Sequence, residues 1–231
     1  IACFSESFRM SGIKQGDLVY VLSETRSSPA LVQLAELGLG RIGARVASLK
    51  LPSAKHTAAQ PIRSTGASDA ADAYGDLMRA IGPTGLVVDV TVEGILHSPA
   101  RQELLSTGGR VYMISHEHPE VLERCMPNPA LIDRVAHSLA RLGAAQTMRV
   151  TSAAGTDLTV DVSGAPVRGG AGFLTEGQPI AYWPAGLALC FPLKNTVNGT
   201  VVLNTGDVNL TFKRYFESPV CLTIENDRVT E

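Results

Sequence analysis

Residues 18–49 read LVYVLSETRSSPALVQLAELGLGRIGARVASL, and this stretch decides the fold. Leu18-Val19-Tyr20-Val21-Leu22 is a short apolar run of buried-strand type. Ser27, Ser28 and Pro29 follow as a helix start, with hydroxyl side chains at the cap and Pro in the first turn. Leu31, Leu34, Leu37, Leu39 and Ile42 give that helix an apolar side, and Gly43 ends it. Arg45-Val46-Ala47-Ser48-Leu49 is then a second strand. Strand, helix and strand in about thirty residues make a βαβ unit with a parallel pairing and a right-handed crossover.

The same alternation continues on the carboxyl side. The pattern predicts helix over 69–81, strand over 85–90, helix over 99–105 and strand over 110–115. Two more helices are predicted at 119–126 and 129–142. The expectation is a doubly wound, Rossmann-like α/β domain over residues 1–145, with ligands at the carboxyl ends of its strands. Gly38-x-Gly40-x-x-Gly43 matches the dinucleotide fingerprint by letters, but it falls at the end of the predicted helix. A phosphate site needs those glycines between a strand and a helix N-terminus, so helix termination and close packing explain them better.

From Thr147 onward the texture changes. Met148-Arg149-Val150-Thr151 and Leu158-Thr159-Val160-Asp161-Val162 alternate at period two around Ala153-Ala154-Gly155-Thr156-Asp157, a hairpin connection. Further strands are expected at 187–191, 199–203, 207–212 and 219–224, punctuated by Gly and Pro. Residues 146–231 are therefore expected to form a β-rich domain. The chain lacks an initiator Met and stops directly after a strand, so the expectation is a sequence trimmed at the front and a β domain incomplete at its C-terminal end.

Composition narrows the class. The 231 residues are 45% hydrophobic and 18% charged, which fits a globular protein. A net charge of −2 gives no general attraction to nucleic acid or anionic membrane. No apolar run reaches the ~18 residues needed to span a bilayer, and no secretory leader is visible. Cys3, Cys125, Cys190 and Cys221 form no CxxC pair and no zinc spacing; they read as small hydrophobes in a reducing cytoplasm.

Several residues are candidates for chemistry. His97 stands in Gly94-Ile95-Leu96-His97-Ser98-Pro99, between a strand and a helix. It is either a general acid/base or an ordinary neighbour of a helix start. His116-Glu117-His118-Pro119 also follows a strand. It is either a metal-binding pair or a capping segment for the helix that Pro119 begins. His56, in a polar loop, and His137, on a helix, read as exposed or structural, and Lys213-Arg214-Tyr215 as a solvated strand end. Tyr182-Trp183-Pro184-Ala185-Gly186 holds the one Trp of the chain between turn-forming residues, which reads as material for a shaped cleft. There is no H-E-x-x-H, G-x-S-x-G or P-loop.

Taken in order, Leu96-His97-Ser98-Pro99, His118-Pro119-Glu120-Val121-Leu122, Ser152-Ala153-Ala154-Gly155-Thr156-Asp157, Trp183-Pro184-Ala185-Gly186, Asn198-Gly199-Thr200 and Gly206-Asp207-Val208-Asn209-Leu210 resemble the 2,5-dihydroxypyridine 5,6-dioxygenase family. Those enzymes cleave the ring in nicotinic-acid catabolism and are related to the M29 aminopeptidases. The resemblance implies iron(II) held by two His and one carboxylate, with open positions for substrate and O₂. It places those ligands in a C-terminal third, in segments that do not occur here, so no residue of this chain is expected to bind the metal. It implies His97 as a base near the substrate, with Leu96, Tyr182 and Trp183 around an aromatic ring. Some members carry His where this chain has Tyr182, which changes the hydrogen bonding available to the substrate. In the peptidases a metal-binding Glu follows the Pro-x-Gly turn; here Leu187 does, and leucine cannot ligate a metal. The expected protein is thus a cytoplasmic, homo-oligomeric dioxygenase that meets a small aromatic substrate and O₂ and neither nucleic acid nor membrane. An M29-like hydrolase and a non-catalytic binding or assembly fragment are the alternatives.

Overall fold

The computed structural model describes residues 1–53, 69–184, 186–209 and 214–231. The helices are α1 (Ala2–Met10), α2 (Pro29–Arg41), α3 (Asp69–Asp72), α4 (Gly75–Ile81), α5 (Pro99–Ser106), α6 (Pro119–Arg124) and α7 (Ala130–Ala144). In the first half the strands are β1 (Leu18–Glu24), β2 (Arg45–Leu51), β3 (Leu86–Asp89) and β4 (Arg110–Ile114). They continue as β5 (Thr147–Thr151), β6 (Asp157–Asp161), β7 (Val167–Gly170), β8 (Ile180–Trp183) and β9 (Leu187–Cys190). The last are β10 (Asn198–Leu203), β11 (Val208–Asn209), β12 (Arg214–Tyr215), β13 (Val220–Glu225) and β14 (Arg228–Val229). The chain divides into two compact units: Ile1–Pro129 with Gly170–Ala185, and Ala130–Gly169 with Gly186–Glu231.

The first unit is built on a parallel sheet in the order β2-β1-β3-β4-β8. Its inner strands are apolar along most of their length because both faces are covered, with polar residues only toward their ends. On one face Val19, Val21, Val88, Tyr112, Ile114 and Trp183 pack with Phe4 and Phe8 of α1 and with Leu31, Ala35 and Leu39 of α2. On the other face Leu22, Val87 and Val111 pack with Met78 and Ile81 of α4 and with Ala100 and Leu104 of α5. The Gly38-x-Gly40-x-x-Gly43 run lies at the end of α2 as expected. A Cβ on Gly38 would come within 2.8 Å of Phe4 Cβ, so the glycine is there to let α1 approach.

Three elements of this unit differ from the sequence reading. Residues 2–10 are helical, although Ile1 offers no capping side chain. Residues 180–183 form a strand that pairs with β4, where the Pro and Gly content had suggested an irregular cleft. The helix expected over 69–81 is two helices, broken at residues 73–74.

The second unit holds an antiparallel sheet in the order β14-β13-β10-β6-β5. Its register sets Val150 beside Leu158, Leu158 beside Gly199, and Gly199 beside Ile224. Successive side chains alternate across a strand. One face therefore carries Met148, Val150, Leu158, Val160, Val201, Leu203, Leu222 and Ile224, and the other Arg149, Asp157, Thr159, Thr200 and Thr223 together with Val202 and Cys221. The buried core is small, formed by Val160, Val162 and Ala165 with Ala145, Met148 and Cys190 against it. The expected strand over 207–212 begins as β11, while 210–213 lie outside the described residues, as do His56 and Ala185.

Candidate functional site

The parallel sheet ends its strands at Glu24, Asp89, Ile114 and Trp183, and the loops that leave those ends carry the candidate residues. One row crosses the sheet just below this edge. Leu22 is in register with Asp89, Asp89 with Met113, and Met113 with Tyr182. Partners in a parallel ladder share a face, so these four side chains lie on the α4–α5 side of the sheet.

The loop from Val90 to Ser98 rises from this row. Asp89 is fully buried, and its carboxylate accepts from Thr91 N–H (3.0 Å), Thr91 Oγ1–H (2.7 Å) and Ile95 N–H (2.7 Å). Burial pushes its pKa up to about 6, against the pull of those hydrogen bonds. Glu24, at the end of β1, is also buried and accepts from Val92 N–H at 2.9 Å. Gly94 has a φ of +73°, and a Cβ there would sit 2.3 Å from Met113 Sδ. The loop therefore lies directly on the row. A void of about 20 Å³ remains among Thr91, Val92, Gly94, Met113 and His116. It has room for about one water and none for an aromatic ring.

The loop ends by presenting His97. Ile95 is buried in the core, Leu96 is half-buried and His97 is exposed. Ser98 caps α5, accepting from Ala100 N–H at 3.2 Å and donating to Asp72 at 2.5 Å, and Pro99 opens the helix. The imidazole thus sits beside a capped helix start and forms none of the cap itself. It is accessible to a ligand, as a general base must be.

His116 and His118 are occupied in other ways. His116 Nε2 accepts from the backbone N–H of Ser28 at 2.8 Å, tying the end of β4 to the start of α2. His118 is the N-cap of α6 and accepts from Glu120 N–H through Nδ1 at 3.3 Å. Their lone pairs are used by the backbone, and the capping reading of this segment is the one observed. Among the described residues no three His, Cys, Asp or Glu side chains come together as a metal site.

Tyr182 and Trp183, expected as two walls of one cleft, point to opposite faces of the sheet. Trp183 is 0% exposed, lies 5.0 Å from the ring of Phe4 and donates its indole N–H to Cys125 O at 2.8 Å. It is a satisfied core residue and offers no surface to a ligand. Tyr182 is half-buried, and burial raises its phenol pKa. Of the four side chains expected around a substrate, Leu96, His97 and Tyr182 belong to the α4–α5 side of the sheet or to the loop above it. Asp89, Glu24 and Met113 were not singled out from the sequence. The available signal was a carboxylate closing an otherwise apolar strand, Leu86-Val87-Val88-Asp89.

Known proteins supply a frame for this geometry. The model of the 2,5-dihydroxypyridine 5,6-dioxygenase family matches residues 1–231. A 2,5-dihydroxypyridine 5,6-dioxygenase of Pseudomonas putida is 31% identical over 229 residues, covering 98% of this chain and 65% of that protein. The chain thus spans just under two thirds of that relative. The solved structure of 2,5-dihydroxypyridine dioxygenase from Pseudomonas putida KT2440 superposes with a TM-score of 0.85 at 30% identity, over 99% of this chain and 66% of that one. Wild-type AmpT from Thermus thermophilus superposes with a TM-score of 0.56 at 15% identity, over 99% of this chain and 70% of that one, a likeness of fold.

Proposed function

As the chain belongs to the 2,5-dihydroxypyridine 5,6-dioxygenase family, we propose that it forms the substrate side of an iron(II)-dependent dioxygenase that opens the ring of 2,5-dihydroxypyridine or a similar hydroxylated aromatic. The family match along all 231 residues carries this reading. His97 takes or shuttles a proton of a ring hydroxyl; an imidazole does this near neutral pH, and its exposed position leaves it open to the ring. Leu96 and Tyr182 give the ring apolar contact, and Trp183 holds β8 from behind the sheet.

The described residues do not fit an iron site, because His116 and His118 already serve backbone N–H groups. The reading places its two His and one carboxylate outside the described residues, and no role given to His97 runs through the metal. The four free cysteines favour a reducing cytoplasm. Exposed Leu187, Phe191 and Leu193 in the second unit favour a homo-oligomer. No helix of the described residues is long and apolar enough to cross a membrane. Leu187, exposed where the peptidases place a metal-binding Glu, weighs against a hydrolase.

The test is O₂ uptake by the protein purified from its native gene and loaded with Fe(II). The expected result with 2,5-dihydroxypyridine is one O₂ consumed per ring opened. Ring loss without O₂ uptake, or hydrolysis of aminoacyl substrates in its place, overturns the reading.

A further inference from the structure

Two buried carboxylates lie beneath the loop that presents His97, and the proposed chemistry uses neither. Asp89 receives three donors from that loop, at Thr91 and at Ile95, and Glu24 receives a fourth at Val92. Ile95 is two residues before His97, and its N–H is held at 2.7 Å, among the shortest of the four bonds. Neither carboxylate has an ion-pair partner among the described residues. A buried anion without a cation is costly, and a neutral side chain would fill the space at lower cost. What the anion adds is two acceptor oxygens that hold donors at both ends of the loop, through charge-assisted bonds of greater strength than neutral ones.

We propose that Asp89 is the positioning residue for His97, with Glu24 as a second anchor, and that together they fix the loop over Met113 so that the imidazole is held for proton transfer. This rests on the reading of His97 as the base. Asp89 touches no substrate in it and acts through the Thr91–Ile95 backbone. Asn at position 89 keeps one acceptor oxygen but turns an amide N–H₂ toward either Thr91 or Ile95, so Asp89→Asn breaks the clamp at nearly constant volume. Gln at position 24 keeps an acceptor for Val92, so Glu24→Gln has the smaller effect.

The experiment uses the iron-loaded protein with histidine ¹³C-labelled at Cε1, and the His97 resonance is assigned through His97→Gln. In Asp89→Asn we expect the His97 signal and its titration to move and the amides of Thr91, Val92 and Ile95 to exchange faster. We also expect kcat for 2,5-dihydroxypyridine to fall about 10- to 100-fold, with KM changed by less than about 3-fold. Thr91→Val, which removes only the hydroxyl donor, shifts each readout the same way by less and serves if Asp89→Asn does not fold. Val19→Ala, on the opposite face of the sheet, lowers the melting temperature without moving the His97 signal. The inference is overturned if His97 titrates in Asp89→Asn and Thr91→Val as in the parent protein, or if Val19→Ala shifts kcat and the His97 signal as much as Asp89→Asn does. If His97→Gln keeps full activity, the reading of His97 as base fails instead, and the loop measurements still decide whether Asp89 positions it.

Discussion

The two five-stranded sheets of this chain reach stability by different routes. The parallel sheet of the first unit is covered on both faces, and residues such as Val21, Val87, Val88 and Val111 are 0% exposed. The antiparallel sheet of the second unit sorts most of its residues by face, apolar on one side and polar on the other except for the Val202–Cys221 pair, and Val160 is the one residue of its five strands that is buried. Their carboxylates follow the same division. Asp89, in the first unit, is inside the protein with its pKa raised. Asp157, Asp161 and Asp227, in the second, lie at the surface with pKa values lowered by the hydrogen bonds of Arg149, of Ser163 and of the Val197 and Asn195 amides. A sheet closed on both sides can hold a loop rigidly at its edge, which is what a site requires; a one-faced sheet cannot do this through its own core.

The largest expected effect is on packing. Trp183→Ala leaves a cavity against Phe4 and strips Cys125 O of its donor. It should cost about 3–5 kcal/mol, read by chemical denaturation. Phe191→Ala, 54% exposed in the second unit, should change stability by less than about 0.5 kcal/mol. Equal losses at the two positions would remove the contrast.

The next effect is of pH. Asp89 has a folded-state pKa near 6, above the ordinary 3.8, so the folded protein holds its proton more tightly than the unfolded chain does. Its stabilising contribution is complete below about pH 4 and is lost as pH rises through 6, by about 3 kcal/mol at most. Asp157, Asp161 and Asp227 act in the opposite sense: their contributions are present above pH 4 and are lost as pH falls below it. Between pH 4 and 7 the melting temperature of the parent should decline while that of Asp89→Asn stays flat, so that the gap between them narrows without closing. The smallest effect is expected at the Arg149–Asp157 pair, which is exposed and solvent-screened. Arg149→Ala should leave the melting temperature unchanged within error in 0.15 M salt.

The contrast also explains what could be read from the sequence. Strands β1, β3 and β4 announce themselves as apolar runs between helical patterns, since burial on both faces leaves polar residues only toward their ends. The β5–β6 hairpin announces itself by alternation. Strand β8 does not: it has four residues between Pro179 and Pro184, and its identity as a strand comes from pairing with β4 far away in the chain. Read as loop, Tyr182 and Trp183 could share a cleft; as consecutive strand residues they cannot. Helix α1 was hidden because its apolar residues Phe4 and Phe8 stand among serines without a cap. In the candidate site, the position of His97 was legible because Ser98-Pro99 marks the helix start beside it. Asp89, Glu24 and Met113 were not, because three distant strands and one loop bring them together.

The most direct measurement compares O₂ uptake with 2,5-dihydroxypyridine by the iron-loaded protein from its native gene and by its His97→Gln variant, at matched folded concentration. If the carboxyl edge of the parallel sheet holds the substrate, the parent consumes one O₂ per ring, and the variant keeps its iron and loses about 10²- to 10⁴-fold in kcat. A parent that binds iron but takes up no O₂ with this substrate contradicts the dioxygenase reading. A variant as fast as the parent contradicts the placement of the site at His97.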